Sequence, residues 1–155
     1  MKMKRLMCAL LACSSILGGI ISAAQAVEAP NETVVRLEDL TWERIDLSTV
    51  EHCAAGPMPL ATGQIDQSIS GKTIIYVTNL IDFNADDTVS FNCSYSPSSA
   101  SMDFGVIASS GQFYYINVKG GSISQAIRIN QAGNYAVAIR NNSSQTVRVV
   151  GFVDY

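Results

Sequence analysis

From Ile65 to its end the chain is a succession of short runs rich in β-branched and aromatic residues, broken about every ten residues by glycine, serine and asparagine. Runs this short fit strands and connections this tight fit hairpins, so the spacing predicts an all-β sandwich or barrel. The expected strands are Gln64 to Ile69, Lys72 to Leu80, Thr88 to Tyr95, Met102 to Ala108, Gln112 to Val118, Ser122 to Ile129, Asn134 to Arg140 and Thr146 to Val153. Their connections, Ser109-Ser110-Gly111, Gly120-Gly121, Gln131-Ala132-Gly133 and Asn141-Asn142-Ser143-Ser144, have turn chemistry. Thr88 to Tyr95 alternates most cleanly, with Val89, Phe91, Cys93 and Tyr95 on one face and Thr88, Ser90, Asn92 and Ser94 on a solvated back. Several later runs are apolar on both faces. In the last, Val147, Val149 and Val153 oppose Val150 and Phe152, which suits a central strand. The expected fold is a single antiparallel two-sheet sandwich, jelly-roll or immunoglobulin-like, of eight or nine strands, with a closed barrel as the second choice.

A different object precedes it. Met1-Lys2-Met3-Lys4-Arg5, the apolar stretch Leu6 to Ile21 and the small-x-small Ala24-Gln25-Ala26 have the three-part layout of a secretory signal peptide, with cleavage expected after Ala26. Lipidation at Cys13 is the weaker reading, because the residues after it stay apolar. Losing Lys2, Lys4 and Arg5 and no acid moves the formal charge from −3 to −6. What remains, 27–155, is one domain, secreted or periplasmic, with no apolar run long enough to span a membrane and no basic patch for nucleic acid.

The mature chain is divided by charge. Eleven acids and three bases fall in 27–100, two acids and four bases in 101–155. Residues 27–59 carry seven of the acids, and their apolar positions fit neither period, so a short strand near Thr33 to Leu37 is expected, then irregular structure up to the Gly56-Pro57-Met58-Pro59 break; the sandwich occupies 60–155. Two cysteines remain, Cys53 and Cys93. An even count in an exported chain predicts a disulfide, closing a loop of about 40 residues and stabilising the fold by about 4 kcal/mol.

Catalytic signals are sparse. His52 is the only histidine, and no serine sits in a GxSxG-type elbow, so nucleophilic catalysis has little to use. Paired carboxylates would suffice for a small glycoside hydrolase, but most acids cluster in the N-terminal segment, as a solvated face does. Asp82, Asn84, Asp86 and Asp87 reproduce the first half of a calcium loop, with oxygen-bearing side chains at alternate positions; the glycine and glutamate of the second half are missing, and a polar turn is the competing reading. For sugar stacking the usable rings are Trp42, the only tryptophan, and the adjacent Tyr114 and Tyr115, one of which must face outward. The Asn-x-Ser/Thr triplets at Asn31, Asn92, Asn141 and Asn142 are discounted because the leader has a bacterial look.

The stretch from Ser122, with its Gln131-Ala132-Gly133-Asn134-Tyr135 turn, alternating strand, Asn/Ser turn and final strand, resembles the ending of small secreted bacterial sandwich modules of the pre-peptidase C-terminal type. That resemblance implies a non-catalytic accessory or surface domain, of a kind that in some cases binds calcium or polysaccharide. A second resemblance, to chaperone-usher pilin subunits, is carried by the leader, Cys53, Cys93 and the terminal Tyr155. The chain departs from it in the short stretch after Cys93 and in lacking a long alternating N-terminal strand. The expected function is thus an exported, non-catalytic binding or cell-surface structural protein, with polysaccharide or another surface protein as partner. The alternatives are a pilus-like subunit assembling by strand addition and a small glycoside hydrolase.

Overall fold

The structure, a computed structural model, describes residues 32–52 and 62–155. The leader with Cys13, Asn31, and the segment holding Cys53 lie outside the described residues. From residue 62 onward the chain forms nine strands: β4 (Thr62–Ile69), β5 (Ile74–Tyr76), β6 (Ile81–Phe83), β7 (Thr88–Ser96), β8 (Met102–Ala108), β9 (Gln112–Val118), β10 (Ser122–Arg128), β11 (Gly133–Asn141) and β12 (Val147–Asp154). The run expected from Lys72 to Leu80 is broken because the side chain of Thr78 accepts the Val137 amide at 3.0 Å, in place of a backbone carbonyl.

Pairing within these strands is nested. β8 pairs with β9, β7 with β10, β5 and β6 with β11, and β4 with β12, all antiparallel. A long ribbon paired in this way and rolled over itself sends alternate segments to opposite sheets, which is jelly-roll connectivity. With three N-terminal strands, β1 (Thr33–Arg36), β2 (Thr41–Arg44) and β3 (Glu51–His52), one sheet reads β1-β10-β7-β12-β4 and the other β2-β9-β8-β11-β5-β3, with β6 also on β11. Between them lies the main core. Val89, Phe91 and Tyr95 from β7 and Val147, Val149 and Val153 from β12 face Phe104, Val106, Val137 and Ile139 from the opposite sheet. Phe91 and Phe104 meet edge to face with centroids 5.8 Å apart.

The acidic N-terminal segment is more ordered than its patterning predicts. It forms β1 (Thr33–Arg36), a 3₁₀ turn, β2 (Thr41–Arg44), a second 3₁₀ turn and β3 (Glu51–His52). Each strand docks on a sheet edge, β1 parallel beside β10, β2 antiparallel beside β9 and β3 parallel beside β5, which corrects the expected antiparallel sandwich of eight or nine strands to two mixed sheets with twelve strands among the described residues. Leu37 inserts into the main core, and Asp46 caps the second 3₁₀ turn by accepting from the Ser48 amide at 3.0 Å. Between β2 and β3 the strap crosses the outside of the seven-stranded sheet. There Ile45 and Val50 cover Ile74, Ile107, Phe113 and Ala138, a second apolar cluster. No periodicity announces this strap, because its apolar residues serve three different surfaces in turn.

The disulfide is corrected. Cys93 is a free, buried thiol, and no disulfide is found among the described residues. Cys93 occupies the middle strand of the five-stranded sheet with its side chain in the main core, whereas His52 leaves the described chain at the edge strand β3 of the opposite sheet. Its Sγ lies 3.5 Å from the Phe152 carbonyl, and burial pushes the thiol pKa up to about 11. The strand across from it carries Gly151, whose absent Cβ would sit 2.2 Å from the Asn92 carbonyl oxygen, so only glycine lets β12 approach β7 there.

Candidate binding surfaces

Two of the three aromatic candidates come together. Trp42 on β2 is in register with Tyr114 on β9, with ring centroids 6.4 Å apart, and Trp42 is 55% exposed at the lateral edge of the sandwich. Tyr115 points the other way, as alternation requires, and stacks at 5.1 Å on Phe113 in the cluster under the strap.

Beside that cluster sits a charged group that the sequence gives no reason to single out. Asp103 is wholly buried. One of its oxygens accepts from Asn117, and the other accepts from Arg140 Nε and Nη2 at 2.8 and 2.6 Å and from Asn142 at 2.7 Å. Arg140 also donates to Glu43 on β2, and its guanidinium lies 5.2 Å from the Phe113 ring centroid and 4.8 Å from that of Tyr115. Burial pushes the Asp103 carboxyl up while the Asn117 and Asn142 amides pull it down, and burial lowers Arg140. With both Asp103 oxygens engaged by protein donors and Arg140 bonded to Glu43 as well, this arrangement holds the strap's β2 to the sheet. It is built to fix structure, since removing either partner would strand a buried charge.

His52 lies 5.3 Å from the Tyr76 ring, over a small hollow of about 210 Å³ that includes Thr78, Asn79 and Leu80. It makes no hydrogen bond to a serine or carboxylate among the described residues. In the proposed calcium loop, Asp82 sits in β6 opposite Asn134, and Asp87 turns inward to accept the Asn84 amide at 2.7 Å. Asp86 takes a positive φ of 73°, a conformation aspartate tolerates in tight turns. Among the described residues no three acidic, histidine or cysteine side chains gather as a metal site. None of them forms a helix long and apolar enough to cross a membrane.

Among the described residues no segment crosses the outer face of the five-stranded sheet. Register places Ser124, Asn92, Phe152 and Gln64 in one row across β10, β7, β12 and β4, and Ser122, Ser94, Val150 and Asp66 in the next. The small side chains leave a shallow depression of about 520 Å³ around Asn92, Ser94, Ser122, Ser124, Val150 and Phe152. Phe152 is 50% exposed and Val150 36%. The alternation of β7 already marked its back as solvated; what it did not reveal is that β12 contributes a ring to the same row.

These features define a two-sheet jelly-roll sandwich with an N-terminal strap and two exposed aromatic positions. No family model matches the chain, and no curated protein matches its sequence.

Proposed function

We propose that this domain works by binding, without catalysis of its own, as an exported accessory or surface module whose ligand class is polysaccharide. The observation that carries the reading is Trp42: the sole tryptophan is more than half exposed beside Tyr114, where a core tryptophan would be covered. The resemblance of the ending to secreted accessory modules points the same way, and the leader supplies the export. Retention of the purified protein on immobilised polysaccharides tests it. Trp42→Ala is expected to cut retention at least ten-fold on whichever matrix holds the wild type; equal retention of the two proteins defeats the reading. Calcium at the 82–87 turn is an accessory proposal supported by the alternation of Asp82, Asn84 and Asp86. Millimolar calcium should then raise the melting temperature, and Asp82→Ala should abolish the rise.

A second reading, assembly by strand addition, draws on β4. This eight-residue strand ends the five-stranded sheet, and among the described residues nothing pairs with its far side. Sedimentation over a hundred-fold concentration range separates the two: growth in mass favours strand addition, and a constant monomer mass favours the binding module.

A further inference from the structure

We infer that the row Ser124–Asn92–Phe152–Gln64 on the outer face of the five-stranded sheet is a binding platform for a linear, neutral oligosaccharide. The inference rests on the binding reading for its ligand class and departs from it in place, since this face is distinct from the Trp42 edge.

The argument begins with what the row contains. Four strands present one side chain each, at the interstrand spacing of about 4.8 Å, so the row is a straight track along which the units of an extended sugar chain can lie. Ser124, Asn92 and Gln64 are exposed, and their side chains make no hydrogen bond to any described residue, so their hydroxyl and amide groups are open to a ligand. Phe152 stands third in the row, half exposed, with polar neighbours on either side. An apolar ring flanked by uncommitted donors and acceptors matches a pyranose, which carries C–H groups on its faces and hydroxyls around its rim.

Charge narrows the class. No ionisable side chain stands in the row. The rows on either side hold one acid each: Asp66 is held by Arg148, which donates two bonds to it, both at 2.8 Å, and the exposed Asp154 stands opposite Ser90. An anionic ligand would meet two carboxylates and no uncommitted cation beside this track, whereas a neutral chain needs no counter-charge. A peptide strand would need an unpaired backbone edge, and β7 and β12 have both edges paired. Three exposed apolar side chains, Val34, Val150 and Phe152, among hydroxyls and amides are also too few for a protein interface of ordinary size.

The platform is pre-formed. Gly151 draws β12 against β7, fixing Phe152 beside Asn92, and among the described residues no strap crosses this face, unlike the outer face of the other sheet. Binding therefore needs no rearrangement of the backbone, and the cost of ordering falls on the ligand alone.

The test is titration of ¹⁵N-labelled protein with cellohexaose, maltohexaose and chitohexaose to several millimolar, followed by amide chemical shifts. At least one is expected to move the amides of Ser124, Asn92, Phe152 and Gln64 together. Phe152→Ala should weaken that binding at least ten-fold, while Phe152→Tyr keeps it within about two-fold. Asn92→Ala provides a second, independent loss, and the dispersion of each variant's spectrum shows that it is folded. Shifts confined to the Trp42 and Tyr114 edge, with Phe152→Ala binding as well as wild type, overturn the platform and leave the binding reading standing. No shift with any of the three sugars, together with no retention on any immobilised polysaccharide, overturns both.

Discussion

The outer faces of the two sheets have been treated oppositely. On the seven-stranded sheet the outer face is apolar and closed: Ile74, Ile107, Phe113 and Ala138 lie under Ile45 and Val50 of the strap, with Arg140 clamping β2 above them. On the five-stranded sheet the outer face is mostly polar, with serine, asparagine, glutamine and the charged Asp66, Arg148 and Asp154 around three exposed apolar side chains, Val34, Val150 and Phe152. The difference assigns the acidic segment a role. Among its described residues most acids are exposed while Glu43 accepts from Arg140, Leu37 enters the main core, and Ile45 and Val50 cover the outer face of the seven-stranded sheet.

The hardest way to break this comparison is to remove the closed face's largest ring. Phe113 is wholly buried between its sheet and the strap. Phe113→Ala should cost about 3–5 kcal/mol, as for a core aromatic, read from urea unfolding. A cost under about 1 kcal/mol would mean that the strap does not seal that face.

The strap's own anchor comes next. Leu37 is 3% exposed in the main core, between β1 and β2. Leu37→Ala is expected to cost about 2–5 kcal/mol and to lower hydrogen-exchange protection along the β1–β10 and β2–β9 ladders. Unchanged protection there would show that the edges hold the strap without its core insertion.

Asp103 sharpens the comparison through pH. Its folded-state pKa lies above the usual carboxylate value because of burial, so the protonated form is the one the fold favours. The stability this group contributes is fully present below about pH 3.9 and is lost as pH rises through the raised folded pKa. Asp103→Asn removes the titration. The variant is less stable overall because Arg140 loses a partner, but its deficit relative to wild type should narrow as pH increases across that window. A deficit that widens with pH would show that the pairing with Arg140 outweighs burial.

The body of the fold was legible because its strands obey one period. β7 and β8 through β12 fall within one or two residues of their expected bounds, since glycine and asparagine turns punctuate an alternation that one buried face imposes. The double-sided apolarity of the later runs was also visible, but its meaning was not. In β12 the second apolar face, Val150 and Phe152, is exposed, while in β8 and β11 the second face is covered by a segment far away in sequence. The strap itself was hidden because Leu37, Ile45 and Val50 each answer to a different neighbour, and no period survives that. Trp42 and Tyr114 were recognisable singly as aromatics, and only the β2–β9 register brings them together. The Asp103–Arg140 pairing spans residues 37 apart, a relation that only the β8–β11 register supplies. Cys93 shows the opposite failure: parity suggested a bond, yet the inward face of a central strand is where a small, weakly polar side chain packs well on its own.

The mildest substitution isolates the open face. Phe152 has half its surface in water, its neighbours in the row are polar, and the main core lies on the other side of β12. Phe152→Ala should therefore change unfolding free energy by no more than about 0.5 kcal/mol, the range of ordinary surface positions. Set beside Phe113→Ala, it compares the same truncation on two outer faces of one sandwich. A near-zero cost on the five-stranded sheet and a large one on the seven-stranded sheet would show that the fold does not need Phe152, which leaves contact with a partner as the reason for an exposed ring. Equal costs would mean that Phe152 contributes to the fold as Phe113 does, and would defeat its assignment to an open face.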